Sequence, residues 1–135
     1  MMQEPYVVMV LGYALWFFML LLGIVVVRFQ AAQVGLNVTK FTAAGAELSP
    51  FGARVCRAHA NMIENFGPLL AIVVAAYVTG QTAELNGLAF VFLAARVAQS
   101  VTHLSSGAPK MMGIRGLFFV TQVLIQVYWI FALIF

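Results

Sequence analysis

Residues 6–27 read YVVMVLGYALWFFMLLLGIVVV, and none of these side chains carries a charge. At 1.5 Å per helical residue the run spans about 33 Å, enough to cross a hydrocarbon core of about 30 Å. Backbone surrounded by lipid has to satisfy its own hydrogen bonds, so a segment of this kind is a helix. The remainder of the chain agrees: 64% of its 135 residues are hydrophobic and 8% are charged, against about a quarter charged in a soluble domain. A cleaved secretory signal is shorter and opens with basic residues. Met1-Met2-Gln3-Glu4 supplies no basic start, so the segment reads as a retained transmembrane helix.

Hydropathy places three further spans behind it. The expected helices cover about residues 5–27, 50–79, 83–104 and 114–135, as one all-α integral membrane domain, an up-down bundle of four transmembrane helices. Ser49-Pro50 is a helix start, a capping serine followed by proline at the first helical position. Residues 79–82, Thr-Gly-Gln-Thr, form a tight turn, and residues 105–113 read as a loop. The connections after the first and third helices fall on one side and carry Arg28, Lys40, Arg54, Lys110 and Arg115. The other side carries Glu4 and Glu84. Basic loops stay in the cytoplasm, so both termini are expected on the opposite side. The sequon Asn37-Val38-Thr39 then faces the cytosol, which argues against glycosylation. The pI near 9.4 would suggest nucleic acid for a soluble protein; here it reports the loop charges that set orientation, and no nucleic-acid partner is expected. The single cysteine, Cys56, excludes an internal disulfide and reads as a buried structural thiol. Short loops and no targeting segment fit a bacterial inner membrane.

The stretch 54–70, RVCRAHANMIENFGPLL, breaks the apolar pattern. Counting about 20 residues back from Thr79 puts the membrane boundary near Ala60. Arg54 and Arg57 sit at or above it, where arginines extend toward the interface. Glu64 falls below, where a charge costs about 2.5–3.5 kcal/mol on insertion scales and needs a partner. Arg54, Arg57, Asn61 and Glu64 recur at i, i+3, i+7 and i+10, one helical face. Pro68 leaves the carbonyl of Glu64 without its helical donor. The third helix carries a similar stripe, Arg96, Gln99 and His103, and the fourth carries Arg115, Gln122 and Gln126. Gln122 and Gln126 read as interhelical packing bonds. The convergence of Arg57, Asn61, Glu64 and Arg96 reads as a functional site.

These residues resemble a known family. Arg57-Ala58-His59-Ala60-Asn61-Met62-Ile63-Glu64 is similar to the RAHxNxxE signature of the membrane-associated proteins in eicosanoid and glutathione metabolism, the MAPEG family. The chain is closest in type to bacterial members that resemble microsomal glutathione transferase. Arg28 closing the first helix, Pro68 after the signature, Arg96-Val97-Ala98 in the third helix and Ile114-Arg115 opening the fourth extend the resemblance over the whole chain. It implies a homotrimer, with glutathione bound between neighbouring subunits near the cytoplasmic face. It implies that Arg57, Asn61 and Glu64 hold glutathione, the Glu64 carboxylate taking its amino group. Arg28 and Arg96 would meet its carboxylates, His103 would join the binding set, and Arg115 would be the catalytic residue beside the sulfur. His59 lies about 140° around the helix from Glu64 and is read as structural.

The implied function is a membrane glutathione transferase or peroxidase, activating the thiol toward a lipophilic electrophile or a hydroperoxide. Gly116 and Phe119 stand where the family's prostaglandin synthase has hydroxyls, and Gln99 and His103 stand where family enzymes often have histidine and tyrosine. Prostaglandin synthesis is therefore not implied. The alternative is a non-catalytic member of the family that binds a membrane lipid. A small four-helix multidrug exporter would want an acid in the first span, which has none. A metal site from His59, His103 and Glu64 is not expected, since His59 and Glu64 point apart.

Overall fold

A computed structural model describes residues 3–135, and over these the chain is all-helical. Four long helices, α1 (Pro5–Gln33), α2 (Pro50–Val78), α3 (Ala83–Ser105) and α4 (Pro109–Ile134), are joined by short turns and one longer loop containing a single 3-10 turn at Val38–Lys40. Each of the four is long and apolar enough to cross a membrane. α3 is the pivot of the bundle, packed against α1, α2 and α4, while α1 and α4 lie on its two flanks.

Two helix ends differ from the sequence expectation, and each has a local cause. α1 continues six residues past Val27 because Gln30, Ala31, Ala32 and Gln33 are good helix formers. It stops at Gly35, whose φ of +91° only glycine adopts freely. There the amides of Gly35 and Leu36 turn back to the carbonyls of Ala32 and Ala31, at 3.1 Å each, closing the last turn as a Schellman motif. Gly80 ends α2 in the same way. α4 begins at Pro109, five residues before Ile114, with proline in the first turn, where its missing N–H is harmless. The α3–α4 connection is therefore only residues 106–108, and Lys110 stands in a helix rather than a loop. α2 runs unbroken through Pro68 from a Ser49 cap, whose Oγ accepts from the Gly52 amide at 3.1 Å.

The packed interior gathers Met9 and Tyr13 of α1, Met62 of α2, Leu85 and Phe92 of α3, and Trp129 of α4. Ala58, Ala76 and Ala89 are fully buried among them, and these small side chains let the helices approach closely. That matters because lipid gives apolar helix faces little reason to associate; close packing and polar bonds hold such a bundle together. The outward faces carry exposed Leu11, Leu15, Phe18, Leu22, Leu117 and Leu124, a surface suited to lipid tails.

At the basic end the α1–α2 loop is tied down. The Arg28 Nη2 donates to the Thr42 carbonyl at 3.1 Å, and the Thr42 hydroxyl donates to a Glu47 carboxylate oxygen at 2.9 Å. The Thr42 amide bonds the other Glu47 oxygen. Asn37 Oδ1 accepts from the amide and hydroxyl of Thr39, at 3.0 and 2.7 Å, so the sequon asparagine caps the 3-10 turn.

Backbone amides, its own first and that of Thr42 next, hold the Glu47 carboxyl below the usual carboxylate range. A depressed folded value means the loop gains from the ionised carboxylate above the unfolded value of about 4.3 and loses it as pH falls through the folded value. Hydrogen exchange of residues 37–48 in detergent is expected to speed up as pH drops from 6 toward 3, beyond the intrinsic pH dependence of exchange. Glu47→Gln is expected to remove that extra change; an identical response in the variant contradicts the assignment.

Candidate functional site

The face predicted on α2 is present. Arg57 and Glu64 are exposed and Asn61 is half-buried, and all three line an open cleft of about 400 Å³ at the basic end of the bundle. α3 contributes Gln99 and His103 to its wall, and α4 contributes Arg115, with Met112, Gly116 and Phe119 as its apolar side. The cleft thus joins a charged floor to an apolar flank that opens onto the lipid-facing surface of α4.

Behind the floor lies a buried polar chain. Arg96 is fully buried; its Nη2 donates to the Asn61 side-chain oxygen and, at 2.6 Å, to Gln99 Oε1, while Nη1 lies 3.5 Å from the Asn61 carbonyl. Gln122 Nε2 donates to the same Gln99 oxygen at 2.8 Å and to the Phe118 carbonyl at 2.9 Å. α2, α3 and α4 are therefore joined through side chains at one level. With its oxygen held by Arg96, Asn61 keeps its amide nitrogen, a donor, for another partner. Tyr13 donates to the Met62 carbonyl at 2.6 Å, fixing α1 to the same stretch of α2. The end of α3 is tethered as well, because Arg54 Nε donates to the Leu104 carbonyl at 3.0 Å.

Removing Arg96 strands the side-chain oxygen of Asn61 inside the bundle, at about 1–3 kcal/mol, and leaves Gln99 with Gln122 as its one donor. Arg96→Leu is expected to lower stability by about 2 kcal/mol or more. Gln122→Leu is expected to stay within about 1 kcal/mol, since Gln99 keeps its arginine partner and Gln122 Oε1 already has none. Unfolding in mixed micelles of both variants checks the ordering; equal effects refute it.

Of the seven expected site residues the structure brings five to the cleft: Arg57, Asn61, Glu64, His103 and Arg115. Arg96 stands one layer back, bracing Asn61 rather than facing the open space. Arg28 lies elsewhere, on α1, turned to the loop at Thr42. His59 is on the side of α2 that meets α1, with its ring 4.6 Å from that of Phe17. Met112 falls in the expected 105–113 loop and is missed by sequence reasoning. The signal that finds it is Pro109 as a helix start, which puts Met112, Arg115, Gly116 and Phe119 at i, i+3, i+4 and i+7 of one face.

No ion pair within 4 Å forms among the described residues, so Glu64 has no cationic partner within that distance. Around it stand Arg57 and Arg115, with Arg96 behind. The cleft accordingly suits a ligand bearing both an ammonium group and anionic groups. Grooves of similar volume lie between α1 and α2, but one of about 420 Å³, lined by Tyr13, Phe17, Phe18, Ile63 and Phe66, exposes no polar surface.

The family model described as the MAPEG family matches residues 6–135. No curated protein and no solved structure matches the chain.

Proposed function

Because the chain belongs to the MAPEG family, we propose that it binds glutathione in the α2–α4 cleft and raises the fraction of its thiol that is ionised. The observation that carries this reading is the unpaired Glu64 among arginines in an open, partly apolar cleft. Glutathione is a tripeptide with one ammonium group, two carboxylates and a thiol, which is the complement of that set. Glu64 takes the ammonium, Arg57 a carboxylate, and Asn61, oriented by Arg96, donates a hydrogen bond. His103 forms part of the binding wall, and Arg115 stands at the rim beside the sulfur. Arg28 reaches the ligand only if a neighbouring subunit supplies it, as a homotrimer with the site between subunits would allow.

A thiol that titrates near 8.5 is about 3% ionised at pH 7. Lowering its midpoint by about two units makes it roughly three-quarters thiolate, for about 2.7 kcal/mol of preferential stabilisation of the anion. A guanidinium in a partly dry cleft supplies an interaction of that order. The thiolate sulfur then attacks a lipophilic electrophile arriving along α4 past Phe119, forming a C–S bond as the leaving group departs with its electron pair. With a lipid hydroperoxide, two glutathione molecules are oxidised to the disulfide while the peroxide is reduced to alcohol and water. The basic loops face the cytoplasm in this reading, in a bacterial inner membrane, where glutathione is at hand.

The apolar groove between α1 and α2 favours a second reading, a non-catalytic protein that seats a lipid chain there. Purified protein assayed with glutathione and a hydrophobic aryl halide, and separately with a fatty-acid hydroperoxide, separates the two. Turnover supports the enzyme; retained lipid on extraction with no turnover of either substrate supports the alternative.

A further inference from the structure

Among the described residues Arg115 makes one side-chain contact of hydrogen-bonding type. Its Nη1 lies 3.5 Å from Nδ1 of His103. A guanidinium can only donate, so for this contact to form the ring nitrogen must accept, which fixes the imidazole as neutral with its proton on Nε2. His103 is on the last turn of α3 and Arg115 on the second turn of α4, joined through residues 106–108. The α3 end is itself anchored, through the Leu104 carbonyl on Arg54 and the Thr102 hydroxyl on the Gln99 carbonyl at 2.7 Å. His103 is thus a fixed acceptor, and Arg115 a long side chain resting against it.

We infer that His103 is a positioning residue for Arg115, holding one edge of the guanidinium against α3 so that its remaining N–H groups face the cleft. The inference rests on the glutathione reading and adds to it a division of labour. An arginine free to rotate loses up to about 2 kcal/mol of rotamer freedom when it settles on an anion. One already held by His103 has lost part of that before the ligand arrives, so more of the interaction goes into stabilising the thiolate. The groups facing this corner are Arg57 and Glu64 from α2, Arg96 and Gln99 from α3 and Arg115 from α4. Among the described residues, His103 is the acceptor that lies within hydrogen-bonding distance of the Arg115 guanidinium.

The test compares His103→Phe, which keeps the ring volume without an acceptor, with His103→Asn, whose side-chain oxygen falls close to the position of Nδ1. His103→Ala serves in place of His103→Phe if that variant does not fold. Glutathione is titrated into each detergent-purified protein while the ultraviolet thiolate band is recorded against pH. Loss of the acceptor is expected to raise the titration midpoint of bound glutathione by about one pH unit. The thiolate band and kcat at pH 7 then fall about threefold, glutathione affinity weakens no more than about threefold, and His103→Asn restores most of the midpoint. An unmoved midpoint, a far larger loss of affinity, or an Asn variant no better than Phe overturns the inference. Wild-type protein that binds no glutathione instead overturns the functional reading beneath it.

Discussion

Glu64→Ala is expected to weaken glutathione binding at least about 30-fold, beyond detection in an ordinary calorimetric titration. Glu64 is the one acid lining the cleft. In the proposed reading its carboxylate takes the ligand's ammonium group, and truncating one side of a desolvated charge pair typically costs 2–5 kcal/mol, or a factor of about 30 to several thousand. Arg57→Ala is expected to act in the same direction. Lys40 is exposed at the end of the 3-10 turn and remote from the cleft, so Lys40→Ala is expected to bind as the wild type does. Equal affinity in all three variants would remove the site from α2. The contrast between Glu64 and Lys40 is informative because both are exposed and charged, while only Glu64 lines the cleft.

Arg115→Ala is expected to divide the two halves of the function. The bound thiol then returns to a midpoint near 8.5, and its thiolate fraction at pH 7 falls from about three-quarters to about 3%, roughly 25-fold. Affinity for glutathione at the same pH falls only about fourfold, because most binding contacts are on α2. The turnover rate at saturating glutathione is expected to follow the thiolate fraction. A variant that keeps its thiolate band shows that some other group polarises the sulfur, with Arg57 next in line. A variant that loses binding outright shows that Arg115 anchors the ligand rather than ionising it.

The four spans are legible because lipid makes a severe demand on sequence, and a long uncharged run such as residues 6–27 suits little but a helix that crosses a bilayer. The polar face of α2 is legible for the converse reason: charges in an otherwise apolar helix stand out at helical spacing. Helix ends are less so. Residues 28–33 look like a polar exit, yet local propensity carries the helix on until Gly35 permits the left-handed turn. The start of α4 is hidden because Pro109 and Lys110 read as loop, although proline is well suited to a first turn. Depth behind the face is not legible either. The spacing of Arg96 with Gln99 and His103 shows that they share a side of α3, but not that Arg96 points into the bundle while His103 points to the cleft. Gln99 reads in the sequence as a departure from the family and Gln122 as a packing residue; their shared bond makes them the link that holds α3, α4 and Asn61 in register. Arg28 illustrates the last limit. A sequence marks it as a cation at a helix end, and only the fold shows that it is spent on the loop at Thr42 in the single chain.

In the proposed reading the α2–α4 cleft binds glutathione and ionises it. The most direct measurement is a calorimetric titration of detergent-purified wild-type protein with glutathione, followed in parallel by the ultraviolet absorbance of the thiolate. Saturable binding at pH 7 accompanied by a thiolate band of about three-quarters occupancy is the expected result. Absence of binding would remove glutathione from the cleft and leave the polar stripes as a device for packing helices.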